Sequence, residues 1–332
     1  MVRVRSRVRI TLAAPSPLFL YSTARLIRRL KPFQRNGNLK PASQDQRRDV
    51  LTNGEEQLKS FYTWTAQPAV RSTSIAELQA KKGKLKSVQV TANTAEEAAA
   101  AAQADFDMII CNSKNVEAVR AGDNTRFLTA SIPLPDFATT DDILREAFRA
   151  LGAGADAIMT ARSMDVVAAL AKEDIPVMGH LGLVPRKSTW TGGLRAVGKT
   201  AEEAVSLYQA FKRLEEAGGV MVEAEVIPAN IMAEISKRTS IITVSLGSGQ
   251  GGDVDYLFME DMVGDTAQPP RHARAFGRLR ALREEMEAER VRALTAFKQA
   301  VAAAEFPGPE QSIFVGDDVV DAFIEQLDRL PK

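Results

Sequence analysis

A single histidine in an apolar run is the first residue whose position suggests chemistry. The chain has 332 residues and only two histidines, and His180 lies in "IPVMGHLGLVP" between Gly179 and Gly182. Glycine within a strand often marks the close approach of a ligand or of another stretch of backbone. We therefore interpret His180 as a residue at the opening of a binding site. A structural histidine packed beside an apolar strand is the alternative.

Two carboxyl groups end another apolar run. Glu223 and Glu225 lie two residues apart in "VMVEAEV". Side chains two residues apart on a strand face the same side of the sheet. The spacing therefore predicts a coupled pair in which one carboxyl has a raised pKa. The alternative is that both side chains are solvated at the end of the strand.

The elements that position these residues alternate along the chain. Predicted strands cover 87–93, 108–113, 126–133, 156–162, 176–182, 220–226, 240–249 and 255–262. Predicted helices cover 94–104, 139–154, 163–173, 200–219 and 228–238, with a charged helical stretch over 274–305. Alternating apolar strands and helices are typical of a parallel sheet covered by helices. Eight such units favour an α/β fold of the (β/α)8 TIM-barrel type over an open doubly wound sheet.

A TIM barrel places its chemistry at the carboxyl ends of the strands. The polar residues predicted there are Thr91, Asn93, Asn112, Ser113, Ser131, Thr160, Arg162, His180, Glu223, Glu225, Ser245, Ser248, Glu260 and Asp261. We therefore expect His180 to be one member of a ring of polar residues around a pocket.

Composition excludes several classes of protein. The 43 basic and 42 acidic residues nearly balance, so no global charge favours nucleic acid. One cysteine, Cys111, excludes an internal disulfide and a CxxC site. No apolar run reaches the length of a membrane span. We expect a soluble intracellular protein.

The amino-terminal segment differs from the rest. Residues 1–44 hold eight Arg, two Lys and no acid, a composition that resembles an organellar targeting peptide. It predicts a mitochondrial location in a eukaryote and a cytoplasmic one otherwise. A spurious or disordered extension and a basic arm are the alternatives. The predicted organisation is an extension over 1–75, a barrel over 76–305 and a carboxyl-terminal tail over 306–332.

Several motifs together resemble one family. They are "IPVMGHLGLVP", "GGLRAVGKTAEEA", "LEEAGGVMVEAEVIPANI", "SLGSGQGGDVDYLFMEDMVG" and "FPGPEQS". The chain thus resembles ketopantoate hydroxymethyltransferases of the phosphoenolpyruvate mutase/isocitrate lyase superfamily. The resemblance implies transfer of a one-carbon unit from methylene-tetrahydrofolate to a small 2-oxo acid in pantothenate biosynthesis. It also implies a Mg2+ that holds the 2-oxo acid, and a homo-oligomer that is a pentamer or decamer.

The family's functional positions fall into two groups in this sequence. Some keep the family's residue type, and others have a different one. The family's histidine and its presumed base match His180 and Glu225. Its Asp-Ser pair matches Asn112-Ser113, and its second metal-binding aspartate matches Ser131. The family's Lys-x-Glu motif matches 159–161, where both charges are missing. By resemblance, His180 and Glu225 are catalytic, whereas the metal positions hold the neutral side chains of Asn112 and Ser131.

One substitution suggests a replacement for the cation. Arg162 stands where the family has glycine, and a guanidinium suits bidentate binding of a carboxylate. We predict that Arg162 binds the 2-oxo acid together with Asn112, Ser113 and Ser131. A solvated loop arginine is the alternative. The predicted function is a divergent carbon–carbon bond enzyme acting on a small 2-oxo acid, or a non-catalytic paralogue that binds a metabolite or a partner barrel subunit.

Overall fold

Eight parallel strands close into a barrel in the computed structural model, which describes residues 59–331. In chain order the strands are β1 Lys59–Tyr62, β2 Pro68–Arg71, β3 Ser87–Thr91, β4 Met108–Asn112, β5 Phe127–Ser131, β6 Ala157–Met159, β7 Val177–Gly182, β8 Met221–Glu225, β9 Ile242–Leu246 and β10 Val254–Leu257. β1 and β2 pair antiparallel, and β3 to β10 follow one another around the barrel until β10 pairs with β3. The predicted TIM barrel is confirmed.

Helices follow most strands and cover the outside of the barrel. They are α1 Ile75–Lys81, α2 Ala95–Gln103, α3 Val116–Gly122, α4 Thr140–Gly152, α5 Met164–Ala171, α6 Ser188–Thr191, α7 Ala201–Glu216, α8 Ala229–Ser236, α9 Met259–Met262, α10 Leu279–Ala302 and α11 Asp317–Asp328. Local capping explains where several begin. Thr94 accepts from the Glu97 amide at the start of α2, and Thr139 forms a capping box with Asp142 at α4.

Strand register determines which residues share the barrel interior. Met159, Met178, Met221 and Ile242 lie side by side on β6 to β9, and all four are buried in one cluster. Alternate residues of the same strands pack outward against the helices. Because the side-chain period of a strand is two, positions 180 and 223 face the interior just above this layer.

An antiparallel hairpin attaches below the barrel through buried ion pairs. Arg71, the last residue of β2, is 7% exposed, and its Nε donates to Asp156 at 2.8 Å. Arg120 lies 2.7 Å from the other oxygen of Asp156. The hairpin lies inside the predicted 1–75 extension. Two strands, β1 and β2, therefore precede the predicted boundary at residue 75. The basic segment 1–44 lies outside the described residues.

The carboxyl-terminal third differs from the prediction in three places. The predicted strand 255–262 divides into β10 and α9, so Glu260 and Asp261 lie on a helix. α10 confirms the predicted charged helix, and none of its residues is buried. α11 lies in the predicted tail. No helix among residues 59–331 is long and apolar enough to cross a membrane.

Candidate active site

His180 and two glutamates form one cluster inside the barrel mouth. His180 Nε2 lies 2.9 Å from Glu225 Oε2 and 3.7 Å from Glu223 Oε1. The same nitrogen lies 3.1 Å from the backbone oxygen of Leu183. The side chain of His180 is 8% exposed and that of Glu223 is 7% exposed. The structure therefore brings together the histidine and the acid pair that the sequence predicted.

Burial and charge act in opposite directions on this cluster. Burial alone would lower the pKa of His180, but the hydrogen bond to Glu225 and the charges of both glutamates raise it above its usual value. Burial raises the pKa of Glu223, and the charge of Glu225 adds to that effect while His180 opposes it. The charged imidazolium of His180 is therefore favoured beside the two glutamates, whereas burial disfavours the charged form of Glu223.

The glycines around His180 leave space that other parts of the protein fill. A Cβ on Gly182, where φ is +92°, would lie 2.2 Å from the backbone oxygen of Glu225. A Cβ on Gly179 would lie 2.5 Å from a methyl group of Leu214 on α7. The predicted close approach therefore exists, and it is made by the backbone of β8 and by the helix outside.

Two further residues at the mouth were not predicted as site residues. The hydroxyl of Tyr256 lies 3.0 Å from the hydroxyl of Thr91, and Tyr256 is 6% exposed. Burial and the charge of Glu223 raise the pKa of Tyr256 well above its usual value. The ring of His272 lies beside the end of β9, since a Cβ on Gly247 would be 2.7 Å from its Cγ. Sequence patterns alone do not reveal these positions. The register of β10 places Tyr256 at the mouth, and the path of the loop before α10 places His272 there.

Asn112 and Ser131 occupy adjacent register positions at the ends of β4 and β5. The Asn112 side-chain oxygen accepts from the backbone amide of Lys114 at 3.0 Å. The Ser131 hydroxyl donates to the sulfur of Met159 at 3.3 Å. Both side chains are half-buried and neutral, and both of these polar groups have partners within the protein.

Ser113 is not brought to the cluster. It is fully buried, and its hydroxyl donates to Glu146 on α4 at 2.5 Å. The Arg149 guanidinium and that hydroxyl hold the pKa of Glu146 below its usual value against the effect of burial. Its predicted contact with a substrate stays a prediction.

Arg162 lies at the rim beyond β6. Its guanidinium donates to the backbone oxygen of Ala138 at 2.8 Å and to that of Phe137 at 3.4 Å. Both carbonyls belong to the segment before α4. The predicted binding of a 2-oxo-acid carboxylate by Arg162 stays a prediction.

Comparison with known proteins decides the family. The family model of ketopantoate hydroxymethyltransferase matches residues 112–309. The chain belongs to the ketopantoate hydroxymethyltransferase family. The family match covers β5 to β10 together with most of the helices, so it includes His180, Glu223 and Glu225.

Individual relatives support the same assignment. The chain is 32% identical over 217 residues to the 3-methyl-2-oxobutanoate hydroxymethyltransferase of Cenarchaeum symbiosum, a match that covers 64% of this chain and 79% of the relative. It is 30% identical over 263 residues to that of Kosmotoga olearia, covering 71% and 96%.

Solved structures show weaker likeness. A phosphonopyruvate hydrolase complex with oxalate and Mg2+ has 12% identity and a TM-score of 0.42, and the match covers 77% of this chain and 96% of that one. A 2,3-dimethylmalate lyase, described as a phosphoenolpyruvate mutase/isocitrate lyase superfamily member, has 12% identity and a TM-score of 0.41, covering 72% and 93%.

The Mg2+ that the resemblance implies does not fit the residues predicted to hold it. Mg2+ is bound through carboxylate oxygens and water, whereas Asn112 and Ser131 offer neutral oxygens only. The Asn112 oxygen is also committed to the Lys114 amide. Among the described residues, the His180, Glu223 and Glu225 ligand atoms lie within 4.8 Å of one another. One nitrogen and two carboxylates form a donor set for a borderline cation such as Zn2+ rather than for Mg2+.

Proposed function

We propose that this protein catalyses carbon–carbon bond chemistry at the carbon next to the oxo group of a small 2-oxo acid, with Glu225 as the general base. The observation that supports this proposal is the hydrogen-bonded pair of His180 and Glu225 at 2.9 Å inside the barrel mouth. Family membership supports the reaction class, and the neutral side chains of Asn112 and Ser131 support a form of that reaction that does not depend on Mg2+.

The first step is proton abstraction. The C3–H bond of the 2-oxo acid breaks, its proton moves to a carboxylate oxygen of Glu225, and the electron pair forms an enolate. His180 donates to the other side of the same carboxylate group and so fixes its orientation. Glu223 favours the charged form of His180, since the pKa of His180 is raised by both neighbouring carboxyls. Positioned general bases of this kind contribute roughly 10²–10⁴-fold in rate.

The enolate oxygen needs hydrogen-bond donors in place of a cation. Thr91 and Tyr256 share one hydrogen bond between two hydroxyls, which leaves one of their two protons available to another acceptor. The raised pKa of Tyr256 keeps its hydroxyl protonated and therefore able to donate. Preorganised donors aimed at a developing oxyanion are a recognised source of catalysis.

Family membership supports a choice of second substrate. We propose methylene-tetrahydrofolate as the one-carbon donor: C3 of the enolate bonds to the methylene carbon, and both bonds from that carbon to the folate nitrogens break. Water supplies the hydroxyl oxygen, and its proton together with the one held by Glu225 goes to the two nitrogens of the released tetrahydrofolate. We also propose a homo-oligomer. α10 supports it, because six large apolar side chains are exposed along that one helix: Leu282, Met286, Val291, Leu294, Phe297 and Val301. A particle mass measurement in solution tests this assembly, and a monomer at micromolar concentration would contradict it.

A non-catalytic role is the second candidate. It is favoured by one observation: no carboxylate stands at either matched metal position, Asn112 or Ser131. In that case the protein keeps the barrel and binds a metabolite or a partner barrel subunit without turning it over.

Exchange of hydrogen for deuterium separates the two candidates. Purified protein in D2O with 2-oxoisovalerate and no folate isolates the proton-abstraction step, which proton NMR follows at C3. We expect exchange in the presence of chelator and its loss in the Glu225→Gln variant. Glu173→Gln is the matched control, because Glu173 is exposed and forms no ion pair with a described residue. Absence of exchange with and without Mg2+ would favour the non-catalytic role.

A further inference from the structure

A strongly basic cleft lies beside the barrel mouth, between the start of α5 and α7. Its volume is about 580 Å³, and its lining residues are Leu134, Arg162, Ser163, Met164, Arg186, Lys187 and Arg213. We call it the cationic cleft. Four of its seven lining residues are basic and none is acidic. Such a volume suits a small metabolite.

The four charges lack carboxylate partners among residues 59–331. Arg162 donates to two backbone carbonyls, and Arg186 donates to the backbone oxygen of Ala161. These hydrogen bonds hold the guanidinium groups in place. Because the acceptors are neutral carbonyl groups, the positive charges stay uncompensated. Lys187 and Arg213 make no side-chain hydrogen bond to a described residue and form no ion pair with one. Like charges gathered in a concave surface raise the local potential and attract an anion.

The start of α5 adds donors to the same cleft. Ser163 is the N-cap of α5, but its hydroxyl does not cap the helix. The backbone amides of 164 and 165 have no acceptor among the described residues. Free amides at a helix start carry partial positive charge and bind oxyanions. Asp165, in the first turn, does not line the cleft.

We infer that the cationic cleft binds the phosphoryl group of a small phosphorylated metabolite. Four cations and two free amides exceed what the single charge and two oxygens of one carboxylate require. A phosphoryl group brings about two negative charges and three acceptor oxygens at neutral pH. This is a binding site outside the His180 cluster, and it does not depend on the proposed reaction.

A second cavity adjoins the cleft. This cavity of about 360 Å³ shares Lys187 and Arg213 with the cleft and is also lined by Gly182 and Leu183. The backbone oxygen of Leu183 contacts His180 Nε2. Leu183 therefore borders both this second cavity and the His180 cluster.

Titration with inorganic phosphate and with phosphoenolpyruvate, read by protein NMR at about 0.15 M salt, tests the inference. We expect saturable binding of both probes. Lys187→Gln and Arg213→Gln should each weaken it about fivefold, because each removes one exposed charge that makes no contact needed for folding. Lys172→Gln is the matched control: Lys172 is exposed at the other end of α5 and forms no ion pair with a described residue. The control should bind phosphate like the wild-type protein.

Three outcomes would overturn the inference. One is the absence of saturable binding of both probes. Another is equal affinity of Lys187→Gln and Lys172→Gln. The third is saturable binding of a glutamate-tailed folate in the cleft without binding of phosphate, which would assign the cleft to carboxylates. Folding is checked independently by thermal unfolding of each variant, and C3 exchange in the Lys187→Gln variant reports on the proposed reaction separately.

Discussion

His180 Nε2 lies 2.9 Å from Glu225 Oε2, and the two side chains come from neighbouring parallel strands. The register pairs His180 with Glu223 and Gly182 with Glu225. The histidine reaches both carboxyl groups because Glu225 lies two residues after Glu223. This is one strand period, so both glutamates face the same side of the sheet. A shift of one residue in this register would turn the glutamates toward the helices.

The Glu225→Gln variant should lose C3 exchange by roughly 10²–10⁴-fold. The amide keeps the size and most of the hydrogen bonding of the carboxylate, but it cannot accept the proton. The exchange rate from NMR gives the effect, and an unchanged unfolding midpoint shows that the fold persists. An active Glu225→Gln variant would transfer the role of base to Glu223.

Glu223→Gln should lower the pKa of His180. The charge of Glu223 is one of the effects that raise this pKa, and removing it leaves burial less opposed. A folded pKa above the unfolded value of about 6.5 stabilises the protein fully below that value. This stability is lost as pH rises through the folded pKa. NMR titration of the imidazole in both proteins measures the change, and identical titration curves would contradict the coupling.

The strands and the histidine–glutamate cluster follow from local patterns. Apolar runs of fixed length place β3 to β10 near the predicted positions, and period-two alternation places Glu223 and Glu225 together. The direction of the Ser113 side chain cannot be predicted from local patterns, because its partner Glu146 lies on a helix 33 residues later. The cationic cleft was beyond prediction for the same reason: Arg213 joins Arg162 only through the packing of α5 and α7.

Divalent cations should affect the protein in a way that differs from the family pattern. Mg2+ should leave C3 exchange unchanged, because Asn112 and Ser131 offer no anionic ligand. Zn2+ should inhibit exchange, because coordination to His180, Glu223 and Glu225 would occupy the base. Rates measured after removal of metal and after addition of each ion give the comparison. Strict dependence on Mg2+ would show that a metal site exists elsewhere.

Gly182→Ala should destabilise the protein by roughly 1–3 kcal/mol and displace Glu225. The added Cβ would lie 2.2 Å from the Glu225 backbone oxygen, and φ at this position is +92°. Gly152→Ala is the matched control, since its Cβ would meet nothing within 4 Å and its φ is not positive. Denaturant unfolding of both variants gives the difference. Equal stability would contradict the close approach of β7 and β8.

Asp156→Asn should destabilise the protein by about 3 kcal/mol. Asp156 accepts from Arg71 at 2.8 Å and from Arg120 at 2.7 Å, and both arginine side chains are nearly buried. Burial lowers the pKa of Arg120 and the charge of Asp156 raises it, so the carboxylate compensates a buried cation. An asparagine would leave two guanidinium groups close together without the carboxylate that they share.

A second variant distinguishes the lost ion pairs from a general loss of packing. Adding Arg71→Gln to Asp156→Asn removes one of the two uncompensated cations, so the double variant should unfold at a higher denaturant concentration than Asp156→Asn alone. Glu234→Gln is the control for an exposed pair, because Glu234 contacts Lys237 at 2.7 Å on the surface and should change stability little. If the two effects simply add, the pairing of Arg71 with Asp156 does not hold the β1–β2 hairpin to the barrel.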